Sequence, residues 1–174
     1  RMQRINWFPY PDINDSKAFW PGSLAQTDFP TINGRKWLRC TVTATGEAYS
    51  QYSMDGDMVP PAGGYHAHAR VYAQSGSGIF RIYTYADGKY TVVVEAAVDD
   101  GKTIDVDRAF TIPAGCTQVL VRIMPANKVG AKALMSDLLV ESRTTYDSAV
   151  GGGASGLLLG RHHAARLTLL GVAA

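Results

Sequence analysis

Tyr65-His66-Ala67-His68-Ala69-Arg70-Val71-Tyr72-Ala73-Gln74 changes character at every step. In an extended chain alternate residues share a face, so Tyr65, Ala67, Ala69, Val71 and Ala73 form one side and His66, His68, Arg70 and Tyr72 the other. The small apolar side goes inward, and the segment reads as a half-buried strand. Working outward, the same period of two organises 79–85, where Phe80 and Ile82 oppose Arg81, Tyr83 and Tyr85, and 118–124, where Val119, Val121 and Ile123 oppose Leu120, Arg122 and Met124. It also marks Leu38, Cys40, Val42 and Ala44 after Trp37, and segments at 48–54, 90–98, 103–112 and 133–141. Between them stand Asp55-Gly56, Gly63-Gly64, Ser75-Gly76-Ser77-Gly78, Asp87-Gly88, Asp99-Asp100-Gly101 and Pro113-Ala114-Gly115, where Gly supplies the positive φ and Asp caps its own turn. No stretch of the body carries a helical stripe. The pattern predicts an all-β fold, an antiparallel β-sandwich (jelly roll) of about eight strands over 37–142.

The flanks differ from this body. Residues 1–36 bring Trp7, Phe8, Tyr10, Phe19, Trp20 and Phe29 among Pro9, Pro11, Pro21 and Pro30, which fits neither helix nor long strand and reads as an extended aromatic arm packing on the sandwich. Residues 143–156 end in Gly151-Gly152-Gly153-Ala154-Ser155-Gly156 and read as a flexible linker. Residues 157–174 form an apolar tail with a basic island at Arg161, His162, His163 and Arg166. Leaving Leu157, Leu158, Leu159, Leu167, Leu169 and Leu170 in water is costly at roughly 25 cal/mol per Å² of apolar area, so the tail is expected to dock on a partner chain or a second copy.

Composition narrows the function. At 174 residues and 46% apolar content one domain can fill a two-sheet core, while 18 Gly and 8 Pro supply its turns. A net charge of +2 with no basic run gives no footprint for nucleic acid, and no apolar run approaches the roughly 18 residues of a membrane span. Cys40 and Cys116 are too few for a disulfide scaffold or a thiolate zinc site and are expected as free thiols.

The polar sides of three strands, taken as neighbours, place His66, His68, Arg70, Tyr72, Arg81, Tyr83, Tyr85 and Arg122 on one outer surface. Flat rings with planar donors suit sugars, because rings cover apolar C–H faces while Arg and His bond hydroxyls. The competing explanation is packing alone, since aromatic residues favour strands and Arg stems cover apolar area. His66 and His68 give two ligands to a metal but no third lies nearby. Asp99, Asp100, Asp105 and Asp107 are read first as a hairpin turn around Gly101, second as a calcium loop and last as paired carboxylates for acid–base work, and no nucleophile, phosphate-loop or zinc-protease motif is present.

These residues resemble the galactose-binding-like carbohydrate-binding modules, in the form found in bacteriophage tail and minor capsid proteins. The carriers are Asn6-Trp7-Phe8-Pro9-Tyr10-Pro11, Leu38-Arg39-Cys40-Thr41-Val42-Thr43-Ala44-Thr45-Gly46, Val59-Pro60-Pro61-Ala62-Gly63-Gly64-Tyr65, Thr111-Ile112-Pro113-Ala114-Gly115 with Val119-Leu120-Val121-Arg122-Ile123, and Met135-Ser136-Asp137-Leu138-Leu139-Val140-Glu141. The resemblance implies a jelly roll with a binding surface on one sheet or at its loops, no catalysis, and a structural calcium with Asp137 at its closing-strand position. It matches no acidic residue to the opening-strand position. The expectation it carries is a virion structural or decoration protein, partnered by other virion proteins or by itself and in reach of host-surface glycan. The alternative is a glycan-binding module, free or appended to a carbohydrate-active enzyme, in an extracellular setting.

Overall fold

A computed structural model describes residues 4–10, 13, 19–152 and 157–159. In chain order its strands are β1 (Arg4–Asn6), β2 (Trp20–Pro21), β3 (Ala25–Asp28), β4 (Thr31–Ile32), β5 (Arg35–Lys36), β6 (Leu38–Val42), β7 (Ser50–Asp55), β8 (Gly63–Ser75), β9 (Gly78–Ala86), β10 (Lys89–Val98), β11 (Thr103–Ile112), β12 (Gln118–Pro125), β13 (Lys132–Ser142) and β14 (Leu157–Leu159), with one helix, α1 (Arg143–Gly152). Two five-stranded sheets carry the fold: a front sheet ordered β10-β9-β12-β7-β2 and a back sheet ordered β11-β8-β13-β6-β3. Their mutual pairings are antiparallel, as the sequence pattern predicts.

The inward faces follow the two-residue period. Ala67, Ala69, Val71 and Ala73 of β8 meet Phe80 and Ile82 of β9 and Val119, Val121 and Ile123 of β12 in one core, all of them buried. The chain crosses between sheets at nearly every connection. β8 lies in the back sheet, β9 and β10 in the front, β11 in the back, β12 in the front and β13 in the back. Among the described residues only β9 to β10 is a tight hairpin within one sheet of the sandwich; its two-residue turn, Asp87-Gly88, has φ of 51° and 76° at its two positions, the pair of positive values that a primed turn requires.

The aromatic arm is part of the sandwich rather than a layer added to it. Its residues supply β2 to the front edge and β3 to the back edge. Phe8 and Phe19 sit in the core against Tyr52, with ring centroids 5.2 and 5.6 Å away. Asn6, fully buried, holds the arm in place: its Nδ2 donates to the Leu138 carbonyl at 3.1 Å, and its Oδ1 accepts from the amides of Phe8 and Val140 at 3.0 and 2.9 Å. Arg4 reaches Glu141, whose carboxylate is completely buried, through Nε at 3.0 Å and Nη2 at 2.5 Å.

Within 143–156, read from the sequence as a linker, Arg143–Gly152 is helical, because Ser142 accepts from the Thr145 amide at 3.4 Å and starts the turn. β14 pairs in parallel with β1 of the same chain, Arg4 opposite Leu157 and Asn6 opposite Leu159. Leu157, Leu158 and Leu159 therefore find a backbone partner in their own chain, and Leu167, Leu169 and Leu170 lie outside the described residues.

Candidate functional site

The eight residues expected on one surface fall on two. β8 belongs to the back sheet, whereas β9 and β12 belong to the front sheet, so His66, His68, Arg70 and Tyr72 face away from Arg81, Tyr83, Tyr85 and Arg122. Alternation tells which residues point out of the core; it does not tell which of two layers a strand joins.

The back face is largely spent on the protein itself. His66 is 8% exposed, but what covers it is α1 rather than the core: the Tyr146 ring stacks on the imidazole with centroids 3.5 Å apart and planes 11° apart. Its Nε2 lies 2.5 Å from Asp107, and among the described residues its Nδ1 has no partner. His68 Nδ1 lies 3.3 Å from the Asp137 carbonyl. Arg70 donates to Asp105 at 3.0 and 3.4 Å, and this bond, with the charge behind it, holds the Asp105 carboxyl below the usual carboxylate range. Tyr72 packs on Trp37, centroids 6.1 Å apart, and the hairpin of β4 and β5 is anchored where Ser136 donates to the Lys36 carbonyl at 2.9 Å.

The Asp137 carboxylate is engaged by the Arg35 guanidinium, a charge that a cation would have to displace, and among the described residues no three His, Cys, Asp or Glu side chains gather around it. The buried carboxylate of the closing strand, Glu141, takes its positive partner from Arg4 of the opening strand.

The front face is built in rows that run across its strands. Register places Glu95, Arg81, Arg122, Gln51 and Trp20 side by side on β10, β9, β12, β7 and β2. The next row is Val92, Tyr83, Leu120 and Ser53, and the one beyond it Tyr90, Tyr85, Gln118 and Asp55. Arg122 stands at the centre. Its Cζ lies 3.9 Å from the Tyr49 ring centroid and 4.9 Å from that of Tyr83. Its Nε and Nη2 both donate to Gln51 Oε1, at 2.9 and 2.8 Å, and its Nη1 donates to Glu47 at 3.2 Å. Arg81 donates to Glu95 at 2.7 Å and to the Tyr83 hydroxyl at 3.1 Å.

At the far row Tyr85 and Tyr90 meet with centroids 4.6 Å apart, and the Tyr90 hydroxyl donates to Gln118. Gln118 in turn donates to Ser53 at 2.8 Å and Asp55 at 2.6 Å. Trp20 and Tyr90 remain 41% and 53% exposed. The face thus presents flat rings at both edges and a fixed polar middle. Fixed rotamers matter, because a polar surface already held by its own bonds loses little entropy when a ligand arrives.

Sequence reasoning found Arg81, Tyr83, Tyr85 and Arg122 here and missed Trp20, Tyr49, Gln51, Glu47, Tyr90, Glu95 and Gln118. Tyr90 was readable, since it shares the phase of Val92 in a strand that follows a primed-turn signal. Trp20 was not, because nothing in a proline-flanked arm marks a two-residue edge strand.

Comparison with known proteins agrees with this architecture. No family model matches the chain, and no curated protein matches it. Among solved structures, the xylan-binding domain of carbohydrate-binding module family 22 is similar with a TM-score of 0.63 at 13% identity, over 79% of this chain and 94% of that one. The C-terminal family 22 module of Clostridium thermocellum Xyn10B, described by residues of its cleft that act in ligand binding, gives 0.64 at 12% identity over 82% and 97%. The enzymatically active domain of bacteriophage CBA120 tailspike protein 4 gives 0.57 at 9% identity over 78% of this chain and 21% of that one. The fold is that of the carbohydrate-binding-module jelly rolls.

Proposed function

We propose that this chain is a non-catalytic polysaccharide-binding module whose glycan lies across the outer face of the front sheet. The observation that carries the reading is the row of Glu95, Arg81, Arg122, Gln51 and Trp20, flanked by Tyr49 and Tyr83. Five strands at roughly 4.8 Å spacing make a path about 19 Å long, which suits several units of an extended chain rather than one sugar. The rings offer apolar planes to sugar C–H faces, and the amides and carboxylates between them offer hydrogen bonds to hydroxyls.

Charge selects the class of glycan. Both guanidinium groups of the row carry a carboxylate partner, Arg81 with Glu95 and Arg122 with Glu47. Among the described residues no uncompensated cation is left in that row to hold a uronate or a sulfate, so the ligand is a neutral polysaccharide. The same pairing supports a non-catalytic role, since a carboxylate bound to arginine is a poor general acid. Xylan is the ligand named for a family 22 neighbour, and β-1,4-galactotriose for a family 61 neighbour with a TM-score of 0.51. Attachment to a phage particle, expected from the sequence resemblance, draws only on the tailspike likeness and is not part of this proposal.

Affinity electrophoresis through gels containing neutral polysaccharides tests the reading. The protein is expected to be retarded by at least one of them, with Tyr83→Ala and Trp20→Ala abolishing retardation and His68→Ala leaving it intact. Retardation lost with His68→Ala and kept with Tyr83→Ala would move the site to the back face.

A further inference from the structure

A cavity of ~290 Å³ opens beside the platform, where the loop before β7 meets the start of β9 and the end of β12. Its walls include Ile79, Met124 and Pro125, and its polar groups include Glu47, Ser77 and Asn127. Two of these residues also belong to the platform. Met124 Sδ lies 3.9 Å from both Arg81 Nη1 and the Tyr83 hydroxyl, and Glu47 accepts from Arg122.

Position decides what such a cavity can receive. Ile79 and Met124 stand opposite each other one outward position beyond the row of Arg81 and Arg122, roughly 6.6 Å along the strands. They belong to the middle strand of the sheet, β12, and to its neighbour β9 rather than to its edges. A glycan crossing the strands along that row therefore has the cavity on its flank, midway along, and not at its end. A group entering it leaves the main chain sideways.

Size and chemistry narrow the group further. The volume falls at the small end of ligand pockets, about 300 Å³, which admits one sugar unit and not an oligosaccharide. Asn127 Oδ1 is used by the Gly46 amide at 2.6 Å, which leaves its NH2 as donor, and among the described residues neither that group nor the Ser77 hydroxyl has a partner. Among the described residues Glu47 is the only ionisable one of the lining. Hydroxyl donors are welcome beside its carboxylate, and with its charge met by Arg122 the described lining offers no free cation to hold a second carboxylate.

We propose that this cavity takes a single neutral sugar branching from the bound main chain, so that the module prefers branched over linear neutral polysaccharide. The proposal rests on the front-face reading above and adds a specificity to it.

The test compares binding to immobilised pairs with a common backbone, linear mannan with galactomannan and linear xylan with arabinoxylan, with glucuronoxylan as the acidic branch. On the backbone that the protein binds, the neutral branched member is expected to bind about tenfold tighter, the worth of one or two added hydrogen bonds. Ser77→Trp, an exposed rim position that fills the opening, brings that ratio to about one without changing linear binding, while Tyr83→Ala removes both. Ala126→Leu, which narrows the same cavity, serves if the Trp variant melts early. Equal binding of linear and branched members, an unchanged ratio in both cavity variants, or a preference for glucuronoxylan overturns the branch pocket and leaves the platform standing. No binding to any member by a folded wild-type protein sinks the platform and the pocket together.

Discussion

Replacing Arg122 with Ala strips three kinds of contact from the centre of the front face at once. The guanidinium lies over the Tyr49 and Tyr83 rings, and each such contact is worth about 0.5–1 kcal/mol. Its pair of hydrogen bonds to Gln51 Oε1 is the larger matter. Gln51 is 8% exposed, so loss of both donors leaves a buried acceptor unsatisfied, at a cost of about 1–3 kcal/mol. The pair with Glu47 adds little, because that carboxylate is 64% exposed. The sum is near 3 kcal/mol, which for a chain of this length lowers Tm by roughly 6–12 °C. Arg122→Lys is expected to fall between, since one ammonium cannot span Gln51 and both rings. Urea titration and thermal melts read the loss, and unchanged slope with a lower midpoint shows that stability alone has moved. An Arg122→Ala protein within about 0.5 kcal/mol of wild type would refute the reasoning and mean that the ring and amide contacts are not held in solution.

Arg4→Met is expected to cost about 3 kcal/mol or more, because it strands the fully buried Glu141 carboxylate without its cation; adding Glu141→Leu should restore most of that by urea titration, and a silent Arg4→Met would show that the opening strand is not clamped. Thiol labelling separates the two cysteines. Burial pushes the Cys40 thiol up to about 11, so it stays protonated and shielded at pH 8, and the native protein should consume a disulfide reagent with half-buried Cys116 alone; both thiols react in denaturant, and two rapid equivalents in the native state would contradict the packing of β6.

Much of the fold was legible because strand alternation and turn chemistry are local. The inward sets of β8, β9 and β12 lie where their spacing puts them, and Asp87-Gly88 makes the hairpin its residues demand. What was not legible is global. Consecutive strands pair often enough to invite the inference that 65–74 and 79–85 are neighbours, yet here they face each other across the core, and the expected His, Arg and Tyr surface divides accordingly. The covering of His66 by Tyr146 depends on a helix that glycine-rich composition conceals. Asn33-Gly34, whose φ values of 50° and 76° make the turn between β4 and β5, is a strong local signal inside a stretch whose prolines draw attention away from it. The arm gave no hint that Trp20 would be delivered to the sheet edge, because a two-residue strand has no periodicity.

Trp20 also offers the most direct check on where a glycan lies. It is the exposed tryptophan of the face, at 41%, whereas Trp37 is 6% exposed and Trp7 half-buried. Acrylamide quenching of tryptophan emission, with and without a saturating polysaccharide that the protein binds, reports on that one indole. The account predicts that the bound glycan lowers the quenching constant to the value of the Trp20→Phe protein. Quenching unaffected by a polysaccharide whose binding is measured independently would place the ligand elsewhere and contradict it.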